Sequence, residues 1–282
     1  MRKVNGRSYK LVLLDTNVVS EILKNPKTTG KGFLQFSLAD SIVPCISIWT
    51  ILEIRRKQAL YDGFLDFFSV FPFFLTRTPL HVLEDEIKEY PNYHQVEPIQ
   101  FSFSLLNKDK NAHLQNFMRN LFDNDDVKNS EQLWNSEWRN QVLQSILALK
   151  PNFKPKGKYY TATDATRFIQ EGVTQYVIAH NPAWAKKIVD QSKWIDVNAF
   201  PSVKTAFYTV FYRFYAENRK PELQDIFDLL ITNVAPYMDI VITENFQAEI
   251  FKKIKQRDPF LKNLEIQTLK SLRQKTSYSG RL

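Results

Sequence analysis

A chain of 282 residues with 44% hydrophobic, 14% aromatic and 24% charged side chains has ample apolar surface for a large core, which excludes general disorder. A lone cysteine, Cys45, excludes an internal disulfide; His81, His94, His113 and His180 share no helical spacing that suits zinc; and no apolar run approaches the roughly 20 residues of a membrane helix. The net charge of +8 sits at the ends, where Arg2, Lys3, Arg7 and Lys10 meet no acid within residues 1–10 and nine Lys/Arg outnumber Glu249, Asp258 and Glu265 within 246–282, a distribution that suits a polyanionic partner.

The first predicted element is a strand at KLVLLD (10–15), a short apolar run of the kind buried parallel sheets use, leading directly into Asp15-Thr16-Asn17 and the helix-like VVSEIL. In parallel α/β sheets ligands bind at the carboxyl ends of strands, so Asp15 is placed to hold a metal or phosphate; Asp15 or Thr16 can equally serve as a plain helix cap. A second strand is read at SIVPCIS (41–47), followed by a helix in IWTILEIRRKQALYDGFLDFF that carries Glu53 within its apolar first two turns. A carboxylate there is costly unless it coordinates a cation or pairs, with Arg56 or Lys57 as the nearest partners.

Residues 64–156 contain no glycine and 99–150 no proline, and the runs 113–122 and 131–150 repeat apolar residues every three or four positions, so the middle of the chain is read as helical. The aromatic run FYTVFYRFYAENRK (207–220) also has helical spacing and reads as core, its exposed members being able to stack unpaired bases. Further on, Asp225 and Asp228 lie three apart at the start of a helix, on one face and near its positive end, while Glu222 complements the helix dipole from the preceding loop. A third strand, MDIVIT (238–243), then delivers Thr243-Glu244-Asn245 to its carboxyl end. With βα units at both ends, the pattern predicts an α/β fold whose sheet closes across a long insertion, and the terminal KTSYSGRL is expected to fray.

An acid after strand one, an acid in the helix after strand two, acids on a late helix and a Thr/Glu after the strand that follows resemble, in this order, the PIN-domain ribonucleases, a family that includes the toxin nucleases of bacterial toxin–antitoxin pairs. The resemblance rests on KLVLLDTNVVSEIL, ISIWTILEIRRK and DLLITNVAPYMDIVITEN, and spans residues 1–94 and 200–258. It implies a three-layer α/β/α domain with a central parallel sheet built from those two stretches, a helical insertion at 95–199 and a basic C-terminal tail at 259–282. The implied activity is endonucleolytic hydrolysis of single-stranded RNA with Mg²⁺ or Mn²⁺, with Asp15, Glu53 and Asp228 as the catalytic, metal-binding acids and Asp225 as a competing or additional ligand. Thr243 matches the family's threonine, with Thr16, Asn17 and Asn245 in support. The family's fourth acid falls on Asn245, with Glu244 one place early, so either Glu244 reaches the metal or the site has three acids and an amide.

Carboxylates suit this chemistry because hard oxygen ligands leave Mg²⁺ several waters, one deliverable as hydroxide to a phosphodiester, and because crowded acids need a cation. Arg55, Arg56, Lys252, Lys253 and Lys255 form a candidate basic rim for RNA, each also readable as a solvated helix face. A cytoplasmic protein without a signal peptide is expected, with an antitoxin protein and a second copy of the chain as implied partners. The alternative is a PIN-like module that binds nucleic acid or protein without cleaving. A haloacid-dehalogenase-type phosphatase lacks its second aspartate at Asn17, and a restriction-type core would need 53–55 to be a strand.

Overall fold

Successive residues of the strand that precedes Asp15 feed two different hydrophobic cores, and this alternation organises the molecule. The computed structural model describes residues 2–4, 7–90, 96–103, 111–155, 157, 159–191 and 194–271. Its strands are β1 (Arg2–Val4), β2 (Arg7–Leu14), β3 (Ile42–Ile46), β4 (Phe73–Thr76), β5 (Ile99–Phe103), β6 (Ile240–Thr243) and β7 (Glu265–Thr268). Between β2 and β5 lie α1 (Thr16–Lys24), α2 (Lys31–Ala39), α3 (Ile48–Arg55), α4 (Gln58–Val70) and α5 (Pro79–Glu89). Between β5 and β6 come α6 (Asn111–Phe122), α7 (Asp125–Leu133), α8 (Arg139–Ala148), α9 (Ala162–His180), α10 (Pro182–Gln191), α11 (Pro201–Val210) and α12 (Asp225–Thr232), and α13 (Asn245–Arg257) follows β6.

The sheet runs β5-β4-β3-β2-β6-β7, with β1 folded back on β2. All neighbours are parallel except β4 with β5 and β1 with β2. The chain builds outward from β2 through β3 to β4 and β5, then returns to place β6 on the other side of β2, which makes the carboxyl end of β2 the topological switch point, the position where open α/β sheets bind ligands. Register levels the rim there: Leu14 pairs with Ile46 on one side and Ile242 on the other, so Asp15, Ser47 and Thr243 emerge together.

Leu11, Leu13, Val43, Cys45 and Val241 face one core, filled by α5, α9, α11, α12 and α13. Val12, Leu14, Ile42, Ile46, Ile240 and Ile242 face the other, filled by α1, α2, α4 and α6. Helices therefore cover both faces, and each fully buried large side chain contributes about 2 kcal/mol through removal from water. The aromatic run after Pro201 is core: Phe207, Tyr208, Phe211, Tyr212 and Phe214 are all buried, which leaves no stacking platform among them.

One expectation changes: the sheet is mixed and not wholly parallel, because β5 joins its edge antiparallel. β5 falls within 95–199 and β7 within 259–282, the ranges read from sequence as helical insertion and basic tail. Met118 and Phe122 of α6 enter one core, with Phe122 edge-on to Phe64, while α9 enters the other. Gly172 marks how closely α9 approaches α11, since a Cβ there would lie 2.6 Å from Phe207 Cδ1. KTSYSGRL (275–282) lies outside the described residues. Among those described, no helix is long and apolar enough to cross a membrane.

Candidate functional site

Asp15 leaves β2 in extended conformation and caps α1, its Oδ1 accepting from the Val18 backbone N at 2.8 Å. Its Oδ2 accepts from the Glu244 backbone N at 3.0 Å and from the Thr243 hydroxyl, so the cap also ties β2 to β6. Capping and a place at the site are thus compatible in one carboxylate. Burial pushes its pKa up to about 6 in spite of these donors, and the Glu244 charge adds to the rise.

Ser47 caps α3 after β3, accepting from Trp49 N, and the helix carries Glu53 back over the same rim. Residues 53–55 are helical, which removes the restriction-type reading. The Thr16 hydroxyl donates to Glu53 Oε2 at 2.6 Å and lies 3.3 Å from Thr50 Oγ1. Burial raises the Glu53 pKa and the Asp228 charge adds to it, while Arg56 and Arg139 act in the opposite sense. The separation of α3 from α12 is set by an aromatic wall: Trp49 stacks on Phe227 at 5.1 Å and on Trp138 at 5.5 Å, with Trp134 at 4.3 Å. Trp49 lies one turn before Glu53 and Phe227 just before Asp228, so the wall holds both acids in place.

Asp225 and Asp228 part company. Asp225 is 1% exposed and bonded to Arg213 Nη2 at 3.0 Å, Arg219 Nη2 at 2.8 Å and the Glu222 backbone N at 2.9 Å. Asp225, offered by the sequence as a competing or additional metal ligand, thus serves here as an ion-paired anchor for the two arginines. Asp228 is 37% exposed and accepts from Arg213 Nη2 at 2.8 Å. Burial still raises its pKa against the pull of Arg213. Arg213 also donates to Gln247 Oε1, which fastens α12 to α13.

Glu244 is half-buried at the head of α13 and makes no capping bond there. Its Oε2 lies 3.5 Å from Asn17 Nδ2, and burial followed by the Asp228 charge raises its pKa. Asn245 and Asn17 are exposed. Of the two options for the fourth position, then, Glu244 is the acid that feels the others. The rim arginine Arg55 is instead bonded to Glu131, Asp123 and the Phe122 carbonyl, anchoring the insertion. Lys252, Lys253 and Lys255 are engaged by Glu249, Glu217 and the Leu264 carbonyl. Arg139, which sequence reasoning missed, lies with its guanidinium 4.4 Å from the Phe227 ring, and Arg56 lies 5.7 Å from the same ring. Nothing local marks Arg139, because it reaches the site from the insertion.

Asp15, Glu53, Asp228 and Glu244 thus come from four segments to one rim, linked by mutual repulsion: Asp228 acts on Glu53 and on Glu244, and Glu244 acts on Asp15. This all-oxygen donor set, its pKa values raised by burial and like charge, fits a hard divalent cation by its chemistry. Among the described residues no three His, Cys, Asp or Glu side chains already stand in metal-holding geometry. Compared with protein-family models, with curated proteins and with solved structures, the chain matches none.

Proposed function

We propose that this chain is a divalent-metal-dependent endoribonuclease of PIN type, with Asp15, Glu53, Asp228 and Glu244 as its acids and Mg²⁺ or Mn²⁺ as its cofactor. The observation that carries the reading is the convergence of these four carboxylates on the carboxyl ends of the adjacent strands β2, β3 and β6, each repelling the next. When bound, a divalent cation supplies an activated water and neutralises charge on the phosphodiester. Asp15 is held to one orientation by Val18 N, Glu244 N and Thr243, leaving the remaining lone pairs of its oxygens for the ion. Thr16 orients Glu53 in the same way. Arg213 fixes Asp228 and lowers the cost of its negative charge in the absence of the ion.

Asp15→Asn, Glu53→Gln and Asp228→Asn are each expected to abolish cleavage of single-stranded RNA in Mg²⁺ or Mn²⁺ while circular dichroism stays native. Full activity in an Asp15/Glu53 double replacement overturns the mechanism. The engagement of Asp228 by Arg213 favours a second reading, a PIN-like module that binds RNA without cutting it. Metal-independent RNA binding with no cleavage under any divalent ion supports that module instead.

A further inference from the structure

We infer that Phe246 is a stacking platform for an unpaired base of an RNA strand, placed on the acid rim itself. The choice of RNA as the ligand rests on the nuclease reading; the contact with a base needs no cleavage. Among the described residues the exposed Phe, Tyr and Trp side chains are Phe117, Tyr159, Trp194 and Phe246, and of these only Phe246 belongs to an element headed by a rim acid. It stands two residues after Glu244, in the first turn of α13, where side chains lean back toward the helix N-terminus and so toward the end of β6.

Arg213 ties this ring to the acids. Its guanidinium carbon lies 5.6 Å from the Phe246 centroid, and its Nη2 lies 2.8 Å from Asp228 Oδ2, so one guanidinium separates the ring from a carboxylate of the cluster. Arg213 is buried, whereas Phe246 keeps 38% of its surface in solvent. The cation–π contact thus holds the ring from within and leaves its exposed part open to a second planar group. A phosphate held at the acids carries its base to within reach of a side chain on the same rim. Every base has a π-face, so the contact selects an unpaired base without selecting its sequence. The aromatic run at 207–220 offers no alternative, since Phe207, Tyr208, Phe211, Tyr212 and Phe214 are core.

The test uses the full chain carrying Glu53→Gln, in Mg²⁺, with a single-stranded oligoribonucleotide along which 2-aminopurine or an abasic site is moved. Without any change at Phe246, an abasic site at one position is expected to weaken binding about tenfold, and 2-aminopurine at that position is quenched on binding. Phe246→Leu, which keeps an apolar cover over Arg213, is expected to lose the same factor and the quenching while the salt slope stays unchanged, because no charge is removed. Phe246→Trp retains both. The abasic strand erases the difference between Phe246→Leu and its parent, and binding of the annealed duplex is unaffected by the substitution. Equal affinity for base-bearing and abasic strands at every position overturns the platform, as do full affinity and quenching in folded Phe246→Leu. With Glu53 intact, RNA cleavage whose KM and kcat are unmoved by Phe246→Leu overturns the platform and leaves the nuclease reading standing. Base-dependent binding that Phe246→Leu abolishes, in a chain that cuts no RNA in any divalent ion, does the reverse. A chain that binds no oligoribonucleotide overturns both.

Discussion

Around Asp15 the carboxylate is fixed by neutral donors, the Thr243 hydroxyl and the backbone N–H groups of Val18 and Glu244, whereas around Asp225 and Asp228 the fixing groups are guanidiniums. The two halves of the same rim therefore answer differently to removal of one partner. A carboxylate turned into an amide keeps one oxygen for its neutral donors, whereas a buried charge deprived of its counter-charge keeps no partner of opposite sign. The carboxylate of the β2/β6 half thus sits among neutral donors, while those of the α12 half sit beside counter-charges.

The largest effect expected from this contrast is in Arg213→Met. It leaves Asp225, at 1% exposure, with Arg219 as a counter-charge beside the Glu222 backbone N, and costs about 3–5 kcal/mol in urea unfolding. A loss below about 1 kcal/mol would show that the α12 half is not held by charge.

Next comes pH. Glu86 is a second carboxylate held by neutral donors, Ser202 N, Val203 N and the Tyr237 hydroxyl, and burial raises its pKa to about 7 from 4.5. The folded chain keeps a proton that the unfolded chain releases, so metal-free stability falls as pH rises from about 4.5 to about 7 and is flat above. The Glu86 share is about 3 kcal/mol. Asp15, raised from 3.8 to about 6, adds loss of the same sign at slightly lower pH. Urea titrations in EDTA at pH 4.5, 6 and 8 measure the sum, and Glu86→Gln flattens its own part. Adding Mg²⁺ at pH 8 is expected to raise Tm in the wild type and not in an Asp15→Asn/Glu53→Gln double variant.

Gly172→Ala asks whether the insertion is welded to the core, since the new Cβ meets the buried Phe207 ring. About 2 kcal/mol of destabilisation is expected, read as a cooperative single transition. Asp15→Asn, which keeps an oxygen for Val18, should cost about 1 kcal/mol. The exposed Arg167–Glu171 pair sets the floor: Glu171→Gln changes stability by about 0.5 kcal/mol or less.

Much of the frame was legible before the coordinates. The apolar runs at 10–15, 41–47 and 238–243 correspond to β2, β3 and β6 to within a few residues, because a strand buried on both faces leaves an unbroken hydrophobic signature. β4 at Phe73–Thr76 was not read because its apolar residues run on from those ending α4, and β7 at Glu265–Thr268 because it carries polar side chains at the sheet edge. Asp225 and Asp228 looked alike in sequence because helical spacing puts them on one face. What separates them is Arg213 and Arg219, contributed by the chain before α12 and visible as partners only once it folds back.

Local order thus dictated the α/β class, the helical middle and the presence of acids at strand ends, since hydrophobic periodicity and capping chemistry act over a few residues. Which acids share a rim, which are spent on arginines, and that Arg139 of the insertion meets Arg56 over Phe227 depended on contacts spanning tens to hundreds of residues. Such contacts are set by sheet order and core packing, and no short stretch of chain encodes either by itself.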